Sequence, residues 1–319
     1  MNRVLEYAIG IDLGGTNIKA GIVTSEGGVV YRISVPTNAH KGGEAILEHL
    51  AAIVEKLQLY ASEQDWEIQG VGIGSAGQVN AEAGIVMGAT ANLPGWAGMR
   101  LRERLNALTG FPVVIDNDAN AMAYGEAWIG SGRNWRDFIC VTLGTGVGGC
   151  LIIDKQPYRG RDGFAGEIGH QVIQADGHPC NCGRAGCWEQ YASVTALMRI
   201  VQESGVDCTK YHNPEEVFAL AREGDLQAVE LVDQYSSYIA IGLANLIHLF
   251  NPQGIVIGGA VTKQGDFLLK RVRQQVYGQL LPVFRELPAE TKIDIVPAAL
   301  EDDGGVVGAV ASYFLKKRL

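Results

Sequence analysis

Residues 11–23 read IDLGGTNIKAGIV, and residues 141–153 read VTLGTGVGGCLII. In each, a β-branched apolar run ends on Leu-Gly, passes through a glycine-rich turn and resumes as a second apolar run, which is the pattern of strand, turn, strand. Aligning the two pairs Leu13-Gly14 with Leu143-Gly144. The internal similarity predicts two lobes built on one plan.

Working outward from the first run, strand Tyr7 to Leu13, strand Ala20 to Thr24 and strand Val29 to Val35 form an antiparallel meander, with a turn over Ser25, Glu26, Gly27 and Gly28. Apolar residues at Ala45, Ile46, Leu50, Ile53, Val54 and Leu57 give the helical period over Gly43 to Leu59. Strand Val71 to Gly74, a helix near Met99 to Leu108 and strand Pro112 to Ile115 complete a mixed α/β unit. The second run opens another unit just after Asp137. Beyond Cys187 the pattern turns helical. Asn213, Pro214 and Glu216 give a cap, a first-turn proline and a third-position acid, and a long helix runs from about Leu226 to Phe250. Strand Gly254 to Gly258, helix Phe267 to Val276, strand Ile293 to Val296 and a last helix from about Gly305 to Leu315 close the chain. The expected division is a small α/β lobe over 1–118, to which the last helix (about 303–319) returns, and a larger α/β lobe over 119–302.

The bulk properties fit this plan. At 319 residues the chain exceeds the size at which a single core stops growing, and 47% hydrophobic residues can fill two. A net charge of −9 argues against a nucleic-acid groove or an anionic membrane as partner, since either needs clustered Lys and Arg. The N-terminal MNRVLEYAIGID lacks a signal pattern, and no run approaches the ~20 apolar residues of a membrane span, so the cytoplasm is the expected location. Cys140 and Cys150 sit in apolar runs and read as small core residues.

Four constellations point to chemistry. In the first loop, Asp12 stands at a strand end, followed by Gly14, Gly15, Thr16 and Asn17, where small residues let backbone N–H groups and a hydroxyl approach phosphate oxygens. The second loop offers Thr142, Gly144, Thr145 and Gly146 in the same role. Both loops join two strands, which excludes the nucleotide motifs whose glycines lead into a helix. Two such hairpins can hold the β- and γ-phosphates of one nucleotide, with Asp12 positioning a magnesium ion or its waters. A third signal, IVIGGAV, places Gly258 and Gly259 at a strand end where backbone can pass close to a nucleobase.

In VVIDNDANAMAYGE an apolar strand delivers Asp116, Asn117 and Asp118 to its end, and Ala119 opens a helix. Attack by a weakly acidic hydroxyl on a phosphoryl group benefits from a carboxylate that orients it and accepts its proton. Spacing does not choose between Asp116 and Asp118, and helix capping competes for one of them.

The fourth run is GEIGHQVIQADGHPCNCGRAGCWEQYAS. Cys180 and Cys182 are too close in sequence for an ordinary disulfide, and a glycine-containing turn brings Cys187 back to them. With His170 as fourth ligand they make a closed tetrahedral zinc site, for which His178 is the rival histidine. The flanking Glu167 and Glu189 would then sit on rigid backbone suited to bidentate bonding of vicinal hydroxyls, and His170 can offer its second ring nitrogen to the same ligand.

Together these residues resemble the ROK family of repressors, open reading frames and kinases. The resemblance runs in order through Asp12 to Gly21, VGIGSAGQV (71–79), ATANLPGW (89–96), IDNDAN (115–120), LGTGVGG, GEIGH, the CxCGxxGC knot and IGG. It implies an actin-like (ribonuclease H-like) ATPase fold of two lobes with a cleft between them, and an ATP-dependent kinase acting on the 6-hydroxyl of a hexose. It implies Asp118 as the base and Gly77, Gln78, Asn92, Gly95, Asn117, Glu167, His170 and Glu189 as sugar-binding positions. ATP, Mg2+ and structural Zn2+ follow as cofactors and a homodimer as the assembly. Ala76 replaces the proline that many members carry, as N-acylmannosamine kinases often do, whereas ATANLPGW and the IDNDAN run look like bacterial glucokinases. The resemblance therefore implies glucose first, with N-acetylmannosamine or another hexose second. ROK repressors carry an extra N-terminal helix-turn-helix domain, for which a first strand beginning near Tyr7 leaves no room, so a regulator lacking that domain is the expectation of another class.

Overall fold

The computed structural model describes residues 5–89 and 92–316. Thr90 and Ala91 of the ATANLPGW run, and residues 317–319 of the expected last helix, lie outside the described residues. The chain divides into two compact units, one of Met1–Asn134, Leu151–Ala165 and Ala299–Leu319, the other of Trp135–Cys150 and Gly166–Ala298.

In the first unit, β1 (Tyr7–Leu13), β2 (Asn17–Thr24) and β3 (Val29–Pro36) form the antiparallel meander. Helix α1 (Gly43–Glu63) leads to β4 (Ile68–Ser75), which lies parallel to β1. A small hairpin of β5 (Gln78–Asn80) and β6 (Ile85–Gly88) follows, then α2 (Leu101–Thr109), β7 (Val113–Asn117), parallel to β4, and α3 (Asp118–Trp128). The sheet order is β3-β2-β1-β4-β7. One face buries Ile46, Leu50, Ile53, Val54 and Leu57 of α1 against Ile9, Ile11, Ile73 and Ile115. The edge strand β3 alternates half-buried and exposed side chains, as a strand covered on one face must.

The second unit begins with β8 (Phe138–Leu143) and β9 (Val147–Ile153), joined by the loop 144–146. The last residues of β9, counted with the first unit, pair antiparallel with β10 (Gln156–Pro157). Four helices follow: α4 (Glu189–Ala192), α5 (Val194–Glu203), α6 (Pro214–Glu223) and α7 (Leu226–Phe250). Asn213 Oδ1 caps α6 by accepting the N–H of Glu216 at 2.8 Å. Then come β11 (Gly254–Gly258), α8 (Asp266–Gln279), α9 (Pro282–Arg285) and β12 (Asp294–Pro297), with β11 parallel to both β8 and β12. The sheet order β10-β9-β8-β11-β12 is third, second, first, fourth, fifth, the same as in the first unit. Cys140 and Cys150 are both buried in this sheet.

The last helix, α10 (Gly304–Lys316), rejoins the first unit. Its Val306, Val307, Val310 and Phe314 bury against Ala8 and Val23 on the sheet face opposite α1. It also packs on α3, and there Gly308 lies so close that a Cβ would stand 1.5 Å from the carbonyl oxygen of Ala121. This packing groups residues 119–134 with the first unit, whereas the sequence division falls at 118/119. Among the described residues no helix is long and apolar enough to cross a membrane.

Candidate active site

In the first unit, β7 delivers three polar residues to its end, and their hydrogen bonds separate their roles. Asp116 is buried and fully engaged: Oδ1 accepts the N–H of Asn117 and the amide of Asn120, each at 2.9 Å, and Oδ2 accepts Nε of Arg159 at 3.1 Å and a second guanidinium N–H from Nη2. The cap of α3 is neither aspartate. Asn117 Oδ1 accepts the N–H groups of Ala119 and Asn120 at 2.9 and 3.2 Å, which satisfies two donors of the first turn. The amide nitrogen of Asn117 donates to the Gly77 carbonyl at 2.9 Å and to Asp118 Oδ1 at 2.8 Å. Asp118 Oδ1 also accepts the N–H of Ala119 at 2.9 Å, so both of these bonds fall on one oxygen and neither on Oδ2. Burial, reinforced by the charge of Asp12, pushes the Asp118 carboxyl up to about 7, against the lowering effect of its hydrogen bonds. A carboxylate poised near neutrality, with one oxygen outside those two bonds, suits proton acceptance.

Asp12 is likewise raised, first by burial and then by Asp302, while Lys19 opposes the shift. Lys19 itself is ion-paired with Asp302 at 2.6 Å. The loop after Asp12 is tied from behind: Thr37 Oγ1 donates to the Gly14 carbonyl at 2.7 Å and the Thr37 N–H to the Thr16 carbonyl at 2.8 Å. Thr16 and Asn17 are left exposed. A Cβ on Gly15 would lie 3.4 Å from Cβ of Asn92, so this loop and the sugar-binding asparagine implied by the resemblance are neighbours. The Asn92 to Gly95 segment is anchored by buried Trp96, whose Nε1 donates to Ser75 Oγ at 3.0 Å. Gly95 has φ 71°, and its carbonyl packs on Gly43 at the start of α1. Gln78 pairs with Gly88 in the small hairpin.

In the second unit, the β8–β9 loop is closed by the Gly144 N–H on the Gly146 carbonyl at 3.0 Å, with Thr145 exposed at its tip. The carboxylate of Glu189 leans on this loop: Oε2 accepts the N–H of Val147 at 3.1 Å, and a Cβ at Gly146 would clash with it at 2.3 Å. Thr142 stands opposite Gly258 in the β8–β11 pairing, so the loop and the Gly258-Gly259 pair share one sheet end. Beside them a cavity of about 350 Å³ is lined by Thr145, Val194, Thr195, Met198, Pro214 and Ala260.

The cysteine knot forms as a cluster. Cys180 Sγ lies 3.6 Å from His170 Nδ1, Cys182 Sγ lies 3.6 Å from Cys187 Sγ, and the four donor atoms lie within 4.8 Å of one another. Metal–sulfur bonds of about 2.3 Å in a tetrahedron place sulfurs about 3.8 Å apart, so the donor set fits zinc. The rival His178 turns away, with Nε2 3.5 Å from Glu203 and its ring against Tyr191. His170 Nε2 lies 4.0 Å from Glu167 Oε2, so its second nitrogen is directed to the exposed carboxylate that the sequence paired with it.

The ROK family profile matches residues 8–316. The chain belongs to the ROK family. A glucokinase of Halalkalibacterium halodurans is 37% identical over 314 residues, covering 95% of this chain and 93% of its own. A solved ROK family glucokinase from Streptomyces griseus, in complex with glucose and AMPPNP, superposes with a TM-score of 0.80 at 33% identity, covering 95% of this chain and 97% of that one. A xylose repressor of Caldicellulosiruptor bescii is 31% identical over 322 residues, covering 98% of this chain and 79% of its own. The fold is the actin-like ATPase fold of ROK sugar kinases.

Three residues of this ROK chain escaped the reading of its sequence. Arg159 and Asn120 hold Asp116, and nothing local marks either: Arg159 lies 43 residues from its partner. Glu126 is fully buried, and the glycine-containing run in which it sits gave no sign that its carboxylate accepts three backbone N–H groups.

Proposed function

We propose that this chain is an ATP-dependent hexose kinase that phosphorylates the 6-hydroxyl of its sugar, with glucose as the preferred substrate and N-acetylmannosamine or another hexose second. Asp118 carries the reading: its Oδ1 takes the bonds from Asn117 and Ala119, which leave Oδ2 to one side, and its carboxyl is pushed up to about 7. Oδ2 orients the sugar hydroxyl and takes its proton as the oxygen attacks the γ-phosphorus and the bond to the β,γ-bridging oxygen breaks, releasing ADP. Asn92, Glu167, His170 and Glu189, with Gly77, Gln78, Gly95 and Asn117, hold the remaining hydroxyls.

The loops Gly14 to Asn17 and Thr142 to Gly146 cradle phosphate oxygens with backbone N–H groups and hydroxyls. The cavity beside Gly258 and Gly259 has the apolar lining and size for a nucleobase. Asp12 orients magnesium or its waters, and the ion supplies charge neutralisation on the transferring phosphoryl group. His170, Cys180, Cys182 and Cys187 hold structural zinc, which supplies a rigid tie for the backbone around Glu167 and Glu189. A cytoplasmic location and a homodimer, with no nucleic-acid or membrane partner, accompany this reading.

The test is a coupled ADP-release assay over glucose, mannose, N-acetylmannosamine, N-acetylglucosamine and xylose. Glucose is expected to give the highest kcat/KM. If folded, zinc-loaded protein shows no sugar-stimulated ADP release, the kinase reading is wrong. The likeness to a xylose repressor then makes a sugar-responsive regulator the reading to pursue.

A further inference from the structure

We propose that Arg159 is a positioning residue for phosphoryl transfer, setting the catalytic Asp118 through Asp116 and Asn117. The inference rests on Asp118 being the base. It adds a residue some forty positions away in sequence, on the segment that leads into the GEIGH turn.

The argument follows the hydrogen bonds. Arg159 engages Asp116 Oδ2 through both Nε and Nη2, two charge-assisted bonds that anchor this one oxygen. Its third nitrogen, Nη1, donates to the Pro157 carbonyl at 3.3 Å, so the guanidinium is itself held. With Oδ2 committed, Oδ1 of Asp116 is aimed at the N–H of Asn117 and the amide of Asn120. Those two contacts fix the start of α3, where the Asn117 side chain caps the helix and donates to Asp118 Oδ1. The path thus runs from Arg159 through the Asp116 carboxylate to the Asn117 backbone, and from the Asn117 side chain to Asp118.

The arrangement differs from an ordinary structural ion pair in two ways. The Asp116 side chain is 5% exposed and the Arg159 side chain 27%, so the pair is shielded, and removing the cation leaves a buried carboxylate with no countercharge. That carboxylate would be left to swing on its Oδ1 contacts to the Asn117 N–H and the Asn120 amide, and any shift of Asn117 carries with it the side-chain amide that holds Asp118 Oδ1. Arg159 also ties the approach to the GEIGH turn, because its carbonyl accepts the N–H of Ala165 at 3.1 Å, two residues before Glu167. A guanidinium suits this task, since lysine offers a point charge without the two-pronged geometry.

The experiment compares Arg159→Gln, Arg159→Lys and Asp118→Asn by steady-state kinetics with glucose and MgATP. Folded fraction is measured by circular dichroism and glucose affinity by calorimetry. Arg159→Gln is expected to lower kcat by about ten- to a hundredfold, the range that small misplacements of reacting groups cost, while KM for ATP changes less than about twofold. Arg159→Lys is expected to recover part of kcat at unchanged KM. A folded Arg159→Gln enzyme with parental kcat, or one whose loss of kcat is matched by loss of folded protein, overturns the proposal. If Arg159→Gln does not fold, Arg159→Lys decides: parental kcat in that variant overturns it equally. Asp118→Asn separates the two layers. Near-parental turnover there defeats the base assignment and the proposal with it. An inactive Asp118→Asn beside an unaffected Arg159→Gln defeats the proposal alone.

Discussion

The buried carboxylate of Glu126 accepts the backbone N–H of Leu300 at 2.8 Å, a contact between residues 174 positions apart. The same carboxylate accepts the N–H groups of Ser131 at 2.7 Å and Ala299 at 3.1 Å, so one side chain closes off the end of α3 and the chain segment entering α10. Replacing it by glutamine puts an NH2 donor among N–H donors. Glu126→Gln is expected to destabilise the protein by about 2 kcal/mol or more, as for a buried charged acceptor made unable to serve its partners. Thermal unfolding followed by circular dichroism checks this, and an unchanged midpoint contradicts it.

Asp118→Asn is expected to keep glucose binding and lose orders of magnitude in kcat, because it removes the proposed base and spares the shape. In the parent enzyme the base must be ionised. With its carboxyl pushed up to about 7, kcat/KM is expected to fall about tenfold per pH unit below that value and to level off above it. The stability sign is the reverse. An acid whose folded pKa is raised contributes stability that is fully present below its unfolded value near 3.9 and lost as pH rises through about 7. The Asp118→Asn protein should therefore melt above the parent at pH 8, the gap closing towards pH 4. A pH–rate profile and melting curves at the two pH values test both statements.

Cys182→Ser removes one donor of the cysteine and histidine cluster. Metal analysis of the purified variant is expected to show less than one zinc per chain where the parent carries one. The midpoint should fall and KM for glucose rise, since Glu189 is carried just beyond Cys187. Parental KM in a zinc-free variant would separate the cluster from sugar binding.

Ala260→Phe introduces a ring into the lining of the cavity that Ala260 shares with Thr145, Met198 and Pro214. It is expected to raise KM for ATP by about tenfold or more, equivalent to about 1.4 kcal/mol, with glucose affinity little changed. Calorimetric titration with a non-hydrolysable ATP analogue checks the first half and titration with glucose the second.

The elements that sequence read well are those fixed by local pattern. Helix α7 and strands β1 and β11 begin and end where their apolar runs predict. The cysteine and histidine cluster was legible because three of its donors lie within eight residues. The expected fourth donor, His170, is the histidine of the cluster, whereas its rival His178 faces Glu203 and Tyr191. The hairpin of β5 and β6 was missed because strands of three and four residues are set by pairing rather than propensity. Asp116 and Asp118 could not be told apart for the same kind of reason. What distinguishes them is a guanidinium 43 residues downstream, and the capping expected of one of them falls to Asn117 between.

The packing of α10 against β1, β4 and α3 has a consequence for synthesis on the ribosome. Strands β1 and β2 emerge well before α10, and the face that receives Val306, Val310 and Phe314 has no cover until α10 is translated. Domains generally fold as units in the order of synthesis, but here the first unit waits for a helix that follows the whole of the second. Its nascent form should be the state most dependent on chaperones, and a stop codon just before Gly304 should cost the cell the whole first unit rather than a single helix.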